Sequence, residues 1–335
     1  MKSPFTGGAA VLKKESRVLE FRKDSFEVSY HYYVCVDSGE QFTTTDIDTL
    51  NITQVHNKYR EKYGIPFTDE IKNIREKYGL SAFKMSEVLG LGVNVYRNYE
   101  AGEMPSVATG RLIRLAQDAA EFAKLVEMSR NALEPHEYAR VKKKLDQNKD
   151  GGMRPAESWS DLLFGSGFPT IHNGFRVPSL ARVSAMVHFF AKHNKPFTTA
   201  LNKLMFYADF GHYKKYGRGI SGVYYKAIQR GPVPENYGAL YSHVVNNHAV
   251  WVEEIDFGDY VGERFVADDA MSQQPDEELF TATELDMLAR VSDRFKGLST
   301  REIVDISHEE PAWQHNINER NRISFDYGFE LKNVE

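Results

Sequence analysis

Residues 201–241 read LNKLMFYADFGHYKKYGRGISGVYYKAIQRGPVPENYGALY, and the class of fold follows from the order of elements in them. From Phe197 onward, "FTTALNKLMFYADFGHYKKYG" has helical spacing, and "GVYYKAIQ" has that of a short strand. Pro232 and Pro234 then fix an extended turn that opens another helix. Two triplet-scale signals in this stretch resemble nucleotide chemistry. GRGISG, residues 217–222, is formally G-x-G-x-x-G, and DFG, residues 209–211, is the magnesium-binding triplet of kinases. The glycines, however, follow a helix and precede a strand, the reverse of a dinucleotide site, and no acidic residue ends a second strand at the required distance. DFG has neither an H-R-D loop nor a β3 lysine with it. Both are therefore read as structural.

Outward from this stretch the chain alternates helices ("SLARVSAMVHFFAKHN", "TATELDMLARVSDRFKG", "STREIVDISH") with short strands ("AVWVEEI"). Residues 251–310 are strongly acidic, whereas "ARVKKKLDQNK" is basic. The segment "NKDGGMRPAESWS", residues 148–160, is rich in breakers and reads as a linker. His188, His193, His212, His243, His308 and His315 form no metal-binding pair on one helical face, and Asp209 is expected to pair with His212 one turn later. Tyr207, Tyr213, Tyr216, Tyr224 and Tyr225 are read as core and rim, with some of them at an interface. No catalytic residue, metal or cofactor is expected.

In residues 10–42 aromatic and β-branched residues alternate with polar ones, which predicts a small antiparallel sheet with a turn at Lys23, Asp24 and Ser25. It is flanked by "KSPFTGG" and "YVCVDSGEQF", in which Ser3, Thr6, Cys35 and Ser38 have the spacing of two C-x-x-C knuckles with only one thiol left. Hydroxyls are poor zinc ligands at neutral pH, so no metal is expected there. Residues 46–130 are helical, with Thr68, Asp69 and Ser106 as natural N-caps.

Within them "AFKMSEVLGLGVNVYRNYEA", residues 82–101, fits a helix-turn-helix frame. Ser86 stands where two helices cross, Gly90 where a left-handed turn is needed, and Met85, Leu89, Leu91, Tyr96 and Tyr99 at buried positions. The outward face of the second helix carries Asn94, Arg97 and Asn98, side chains able to read adenine and guanine edges, with Lys84 and Val93 beside them. One such helix reads only a few base pairs, so a homodimer on palindromic operator DNA is expected.

The chain has 335 residues, 41% hydrophobic and 27% charged, a globular composition for two or three domains. A single cysteine excludes an internal disulfide framework, and no apolar run reaches the length of a signal peptide core or a membrane span. A cytoplasmic location is expected. A net charge of −5 argues against non-specific coating of nucleic acid.

"GVNVYRNYEAGEMPS" behind a two-knuckle ribbon resembles the MqsA-type antitoxins over residues 1–125, in which a zinc ribbon precedes an operator-binding helix-turn-helix. Residues 178–313, through the K-L-x-x-Y-A-D helix, G-P-V-P at 231–234 and a final S-H-x-x-x-A-W, resemble the Panacea (SocA-like, GepA-like) domain. That resemblance implies neutralisation of a toxin by direct binding, the toxin gene lying beside the antitoxin gene. It places candidate toxin contacts at Tyr207, Asp209, His212, Tyr216, Tyr224, Tyr225, His308 and Trp313. The expected fold is α+β, predominantly α. It comprises a ribbon-like β module (1–45), a helix-turn-helix domain (46–130), a helix and linker (131–174) and a mainly helical Panacea domain with short strands (175–335). The expected function is that of a type II antitoxin that represses its own operon, binding a toxin and DNA but no membrane. The rivals are an enzyme around Asp209, His212 and His308, perhaps reversing a toxin's product, and a phage or plasmid repressor without a toxin.

Overall fold

The alternating residues near the N-terminus fold as two strands of equal length, β1 (Ala10–Phe21) and β2 (Asp24–Cys35), with β3 (Gln41–Phe42) on the other side of β2. The computed structural model describes residues 1–149, 159–165, 167–267, 277–319 and 321–334. The hairpin turn lies at Arg22 and Lys23, one residue earlier than expected, with Arg22 at φ 58°. Arg22 is held there by carbonyls: its guanidinium donates to Met104 O at 2.9 Å and Pro105 O at 3.0 Å.

Helices follow in close succession: α1 (Thr45–Tyr63), α2 (Thr68–Lys77), α3 (Ala82–Val88), α4 (Val95–Glu100), α5 (Val107–Leu115), α6 (Ala119–Met128) and α7 (Pro135–Lys149). Ser106 caps α5, its hydroxyl accepting from Thr109 N at 3.0 Å. At α2 the cap residue is Phe67 rather than Thr68 or Asp69. The Glu70 carboxylate reaches back to Phe67 N at 2.8 Å, the Glu half of a capping box, and no side-chain hydroxyl caps the helix.

The second half contains α8 (Trp159–Phe164), α9 (Leu180–His193), α10 (Thr198–Tyr216), β4 (Tyr225–Ile228), β5 (Gly231–Pro234), α11 (Tyr237–Asn246), β6 (Trp251–Asp256), β7 (Val261–Val266), α12 (Ala282–Phe295), α13 (Thr300–His308) and α14 (Pro311–Gln314). The fold is α+β and predominantly α. The prolines of G-P-V-P do not merely turn the chain: β5 pairs antiparallel with β4, Val233 opposite Lys226. β7, a strand that the sequence did not suggest, pairs with β6. Most of the expected linker, residues 150–158, lies outside the described residues.

The chain divides into two compact units, one of Met1–Leu19, Glu27–Gln54 and Trp159–Glu335, the other of Glu20–Phe26 and Val55–Ser158. The β1–β2 hairpin and α1 each contribute to both. In the first unit α10 is central, with every residue from Ala200 to Tyr213 buried. A helix buried on all sides needs neighbours on all sides, and its polar side chains need partners among them.

The base of the ribbon belongs to this same unit. Lys14 Nζ donates to Phe329 O at 2.7 Å, and the His31 ring lies 4.8 Å from that of Phe329. On β2, the Asn51 amide of α1 donates to His31 O and accepts from His31 N, both at 2.9 Å. Gln54, one turn on, does the same for Ser29 at 2.9 and 3.0 Å. Two side-chain amides thus complete backbone pairing that, among the described residues, no neighbouring strand provides.

In the second unit the core is formed by Ile71, Tyr78, Met85, Tyr96, Ile113, Phe122 and Val141. Its buried tyrosine hydroxyls end on carbonyls, Tyr96 on Ile71 O at 2.8 Å and Tyr78 on Ala116 O at 2.9 Å.

Candidate functional site

In the α3–turn–α4 segment the residues at the constrained positions pack inward, except Leu91, which is only partly buried. Ser86 is buried, and its hydroxyl accepts from Tyr96 N at 3.0 Å, tying the start of α4 to α3. Gly90 takes φ +66°, and Met85, Leu89, Tyr96 and Tyr99 are buried. Arg97 and Asn98 are exposed on α4. Asn94 is exposed too, but as the left-handed cap residue at φ 65° rather than on the helical face. Val93 is 70% exposed beside it. Lys84 is turned elsewhere: its ammonium lies 2.9 Å from Ala132 O, 3.1 Å from Glu87 and 3.3 Å from Glu137, so it is already engaged.

The two N-terminal turns adopt one conformation. Gly7 N donates to Ser3 O at 3.0 Å and Gly39 N to Cys35 O at 2.9 Å, the glycines at φ 75° and 74°. Such turns aim the side chains of Ser3, Thr6, Cys35 and Ser38 at one point. The Cys35 thiol is buried, and hydrogen bonding with the side chains of Ser3, Ser38 and Thr6 lowers its pKa to about 6; the Thr6 hydroxyl is 3.3 Å from the sulfur. One thiolate and three hydroxyls do not fit the donor set that holds structural zinc. Among the described residues no group of three or more His, Cys, Asp or Glu side chains is placed to hold a metal. Elemental analysis of the purified chain should give well below one zinc per chain, and chelators should leave its unfolding unchanged. Stoichiometric zinc would contradict this.

The first unit is organised about buried polar groups on α10. The Asp209 carboxylate accepts from Ile220 N at 2.6 Å, Ser221 N at 2.8 Å and the Tyr225 hydroxyl at 2.6 Å, and from the Ser221 hydroxyl as well. Burial raises its pKa, and the Ser221 and Tyr225 bonds oppose that rise. Here DFG and GRGISG find their joint meaning: the acid of the first folds the glycine turn of the second onto the helix. Gly219 is required because a Cβ there would lie 2.9 Å from the Phe325 ring and 3.3 Å from Asp209, and Gly222, at φ +80°, would meet Val177 O at 2.7 Å.

Asp209 does not pair with His212. His212 Nδ1 lies 2.7 Å from Arg218 O and Nε2 3.2 Å from the Thr283 hydroxyl, and burial lowers its pKa to about 4. A neutral ring that donates from Nδ1 and accepts at Nε2 satisfies both contacts. The helix is enclosed, so residues three apart meet different neighbours rather than each other.

Tyr207 donates to Glu310 at 3.2 Å, and Glu310, fully buried, also accepts from Lys332 N at 2.9 Å and the Asn333 side chain at 2.9 Å, which anchors the C-terminal segment. Lys203 is fully buried, with its Nζ 3.1 Å from Pro232 O, and desolvation lowers its pKa to about 7, helped by the charge of Arg230. His308 stacks on Trp313 at 3.8 Å, and Trp313 Nε1 donates to Ile228 O at 2.8 Å.

Residues 201–314 match the family described as antitoxin SocA-like, Panacea domain. The match supports an antitoxin-type role and a toxin as the kind of partner, and it points to a regulator rather than an enzyme. No curated protein and no solved structure matches the chain. Among the described residues no helix is long and apolar enough to cross a membrane.

Within the Panacea region the candidate toxin contacts separate by depth. Tyr207, Asp209 and Tyr225 are wholly buried, His212 and Tyr224 nearly so, His308 and Trp313 half-buried, and Tyr216 is exposed. Most of them therefore belong to the packed interior and not to the surface. Arg322 caps the Tyr224 ring, its guanidinium carbon 3.8 Å from the ring centre.

In the first unit three buried charges have no place in the sequence reading: Lys203, Glu284 and Glu310. Lys203 and Glu310 stand inside the K-L-x-x-Y-A-D and S-H-x-x-x-A-W patterns, a signal that was available. Glu284, 1% exposed, has no such marker: Arg176 and Arg182 each meet it at 2.6 Å from beyond 100 residues away.

Proposed function

We propose that the chain is a type II antitoxin that neutralises its toxin by direct, stoichiometric binding through the Panacea region and represses its own operon through α3 and α4. The match of residues 201–314 to SocA-like antitoxins carries this reading. The exposure of Asn94, Arg97 and Asn98, with the packed frame beneath them, supports the DNA-binding half. The division into modules 1–45, 46–130, 131–174 and 175–335, the cytoplasmic location and the DNA-bound homodimer belong to the same proposal. An enzyme centred on Asp209, His212 and His308 is less well supported, since the first two are committed to separate structural partners.

Co-expression of the adjacent reading frame tests it. That frame alone should arrest growth, and the chain should restore it; a harmless neighbour, or no rescue, would overturn the antitoxin reading. On DNA, Arg97→Ala should cost about 1–3 kcal/mol at the cognate operator while leaving rescue intact. An equal loss on random DNA would mean that Arg97 contacts phosphate only.

A further inference from the structure

We propose that the β6–β7 hairpin is the arm that seats the toxin, taking a basic, extended segment of that protein; this rests on the antitoxin reading above. Among the described residues of the Panacea region, four of the five exposed large hydrophobic side chains lie on this hairpin. Phe257 is 49% exposed, Tyr260 64%, Val261 58% and Trp251 37%, and the Phe257 and Tyr260 rings stack on each other at 5.0 Å at its tip. Aromatic residues held open to solvent in this way mark an interaction surface.

Its charge selects the occupant. Residues 251–264 carry Glu253, Glu254, Asp256, Asp259 and Glu263 against Arg264 as the sole cation. Arg264 lies over the Phe197 ring, its guanidinium carbon 4.9 Å from the ring centre, and 4.0 Å from Glu253, so it offsets one of the five acids and leaves four. In the strand register Glu254 stands directly opposite Glu263, with Asp256 on the same face. Like charges placed across a pair destabilise a sheet, and lysine or arginine from a partner would remove that repulsion.

The backbone offers a second contact. β7 is anchored through Phe265 N to Pro196 O at 2.9 Å, whereas among the described residues no strand pairs with the outer edge of β6. An added strand would be held there by main-chain bonds, its cations among the carboxylates and over the exposed rings. A second copy of this chain would bring the same acids against themselves, and a nucleic acid would bring phosphate. A basic protein segment complements both features.

The test uses the full chain and the purified product of the adjacent reading frame. A photo-reactive phenylalanine in place of Tyr260 should crosslink to that product, and the same group in place of the exposed Met128 should not. The double variant Glu254→Lys, Asp256→Lys should bind at least tenfold more weakly and fail to rescue growth, with its circular dichroism unchanged and its urea midpoint no lower than the parent's, since a lysine at 254 relieves the repulsion from Glu263. In the parent, affinity should fall as salt rises. Rescue by the parent together with equal binding and rescue by the double variant would overturn the hairpin proposal alone, as would a crosslink from position 260 that joins two copies of the chain. If the double variant loses its fold, the crosslinks in the unreversed chain decide. Absence of binding and rescue by the parent would instead remove the antitoxin reading itself.

Discussion

Asp209→Ala lowers the unfolding free energy by about 3–5 kcal/mol, read as a fall in the urea midpoint with an unchanged slope. The size follows from what is stranded. Two backbone amides, Ile220 and Ser221, and two hydroxyls, Ser221 and Tyr225, converge on one carboxylate in a place without exposure to solvent. Alanine removes every acceptor and leaves each donor to carry its own desolvation cost. Asp209→Asn keeps one carbonyl for the two amides and asks only the hydroxyls to reorient, so its loss should be about half as large. Equal stability of Asp209→Ala and the parent would mean that the glycine turn is held by something other than this acid.

Lys203→Met has the opposite sign: at pH 7 it stabilises the chain by roughly 3 kcal/mol. The folded chain holds this amine with a pKa of about 7, against 10.5 for an ordinary lysine, because it is buried and feels the charge of Arg230, which the hydrogen bond to Pro232 O at 3.1 Å does not offset. Between pH 7 and 10.5 the unfolded chain binds a proton that the folded one lacks, so the parent gains stability as pH rises through that window. Methionine has no proton to lose. Its advantage is therefore greatest at and below pH 7, where about 4 kcal/mol of desolvation is relieved and about 1 kcal/mol of hydrogen bonding lost, and it fades towards pH 10.5. Urea midpoints of both proteins at neutral and alkaline pH measure this directly. A less stable variant at pH 7 would show that the ammonium is better compensated than its surroundings suggest.

The parts legible in the sequence were those fixed by local constraint. A crossing of two helices demands a small residue, and a left-handed turn demands glycine, so Ser86 and Gly90 announce themselves. The two N-terminal turns were legible for the same reason, because Gly7 and Gly39 stand where each chain reversal takes a left-handed backbone. What was not legible depends on residues far apart in the chain. Tyr207 and Tyr225 look like contact residues in a list of aromatics and are buried by Phe295 and Phe325, 88 and 100 residues further on. The spacing of Asp209 and His212 suggests one helical face, but α10 has no free face on which they would have to meet. β7, VGERFV, was hidden by a glycine and two charges, and it is recognisable as a strand only beside β6.

The grouping of the ribbon base with residues 159–335 also bears on any dissection of the chain. Removing residues 1–130 would take away Lys14 and His31, which pack on Phe329, so failure of such a fragment would report lost packing as readily as lost toxin contacts. Point variants in the full chain, Arg97→Ala for repression and the hairpin charge reversal for rescue, separate the two roles without that ambiguity.

Titration of the purified toxin with the purified chain reaches the central claim most directly. Direct neutralisation predicts that toxin activity falls linearly with added chain and ends at a fixed molar ratio, with both proteins eluting as one species at that ratio. Loss of toxin effect at a small fraction of that ratio, with no shared species, would mean turnover of a product or of the toxin itself and would contradict the account.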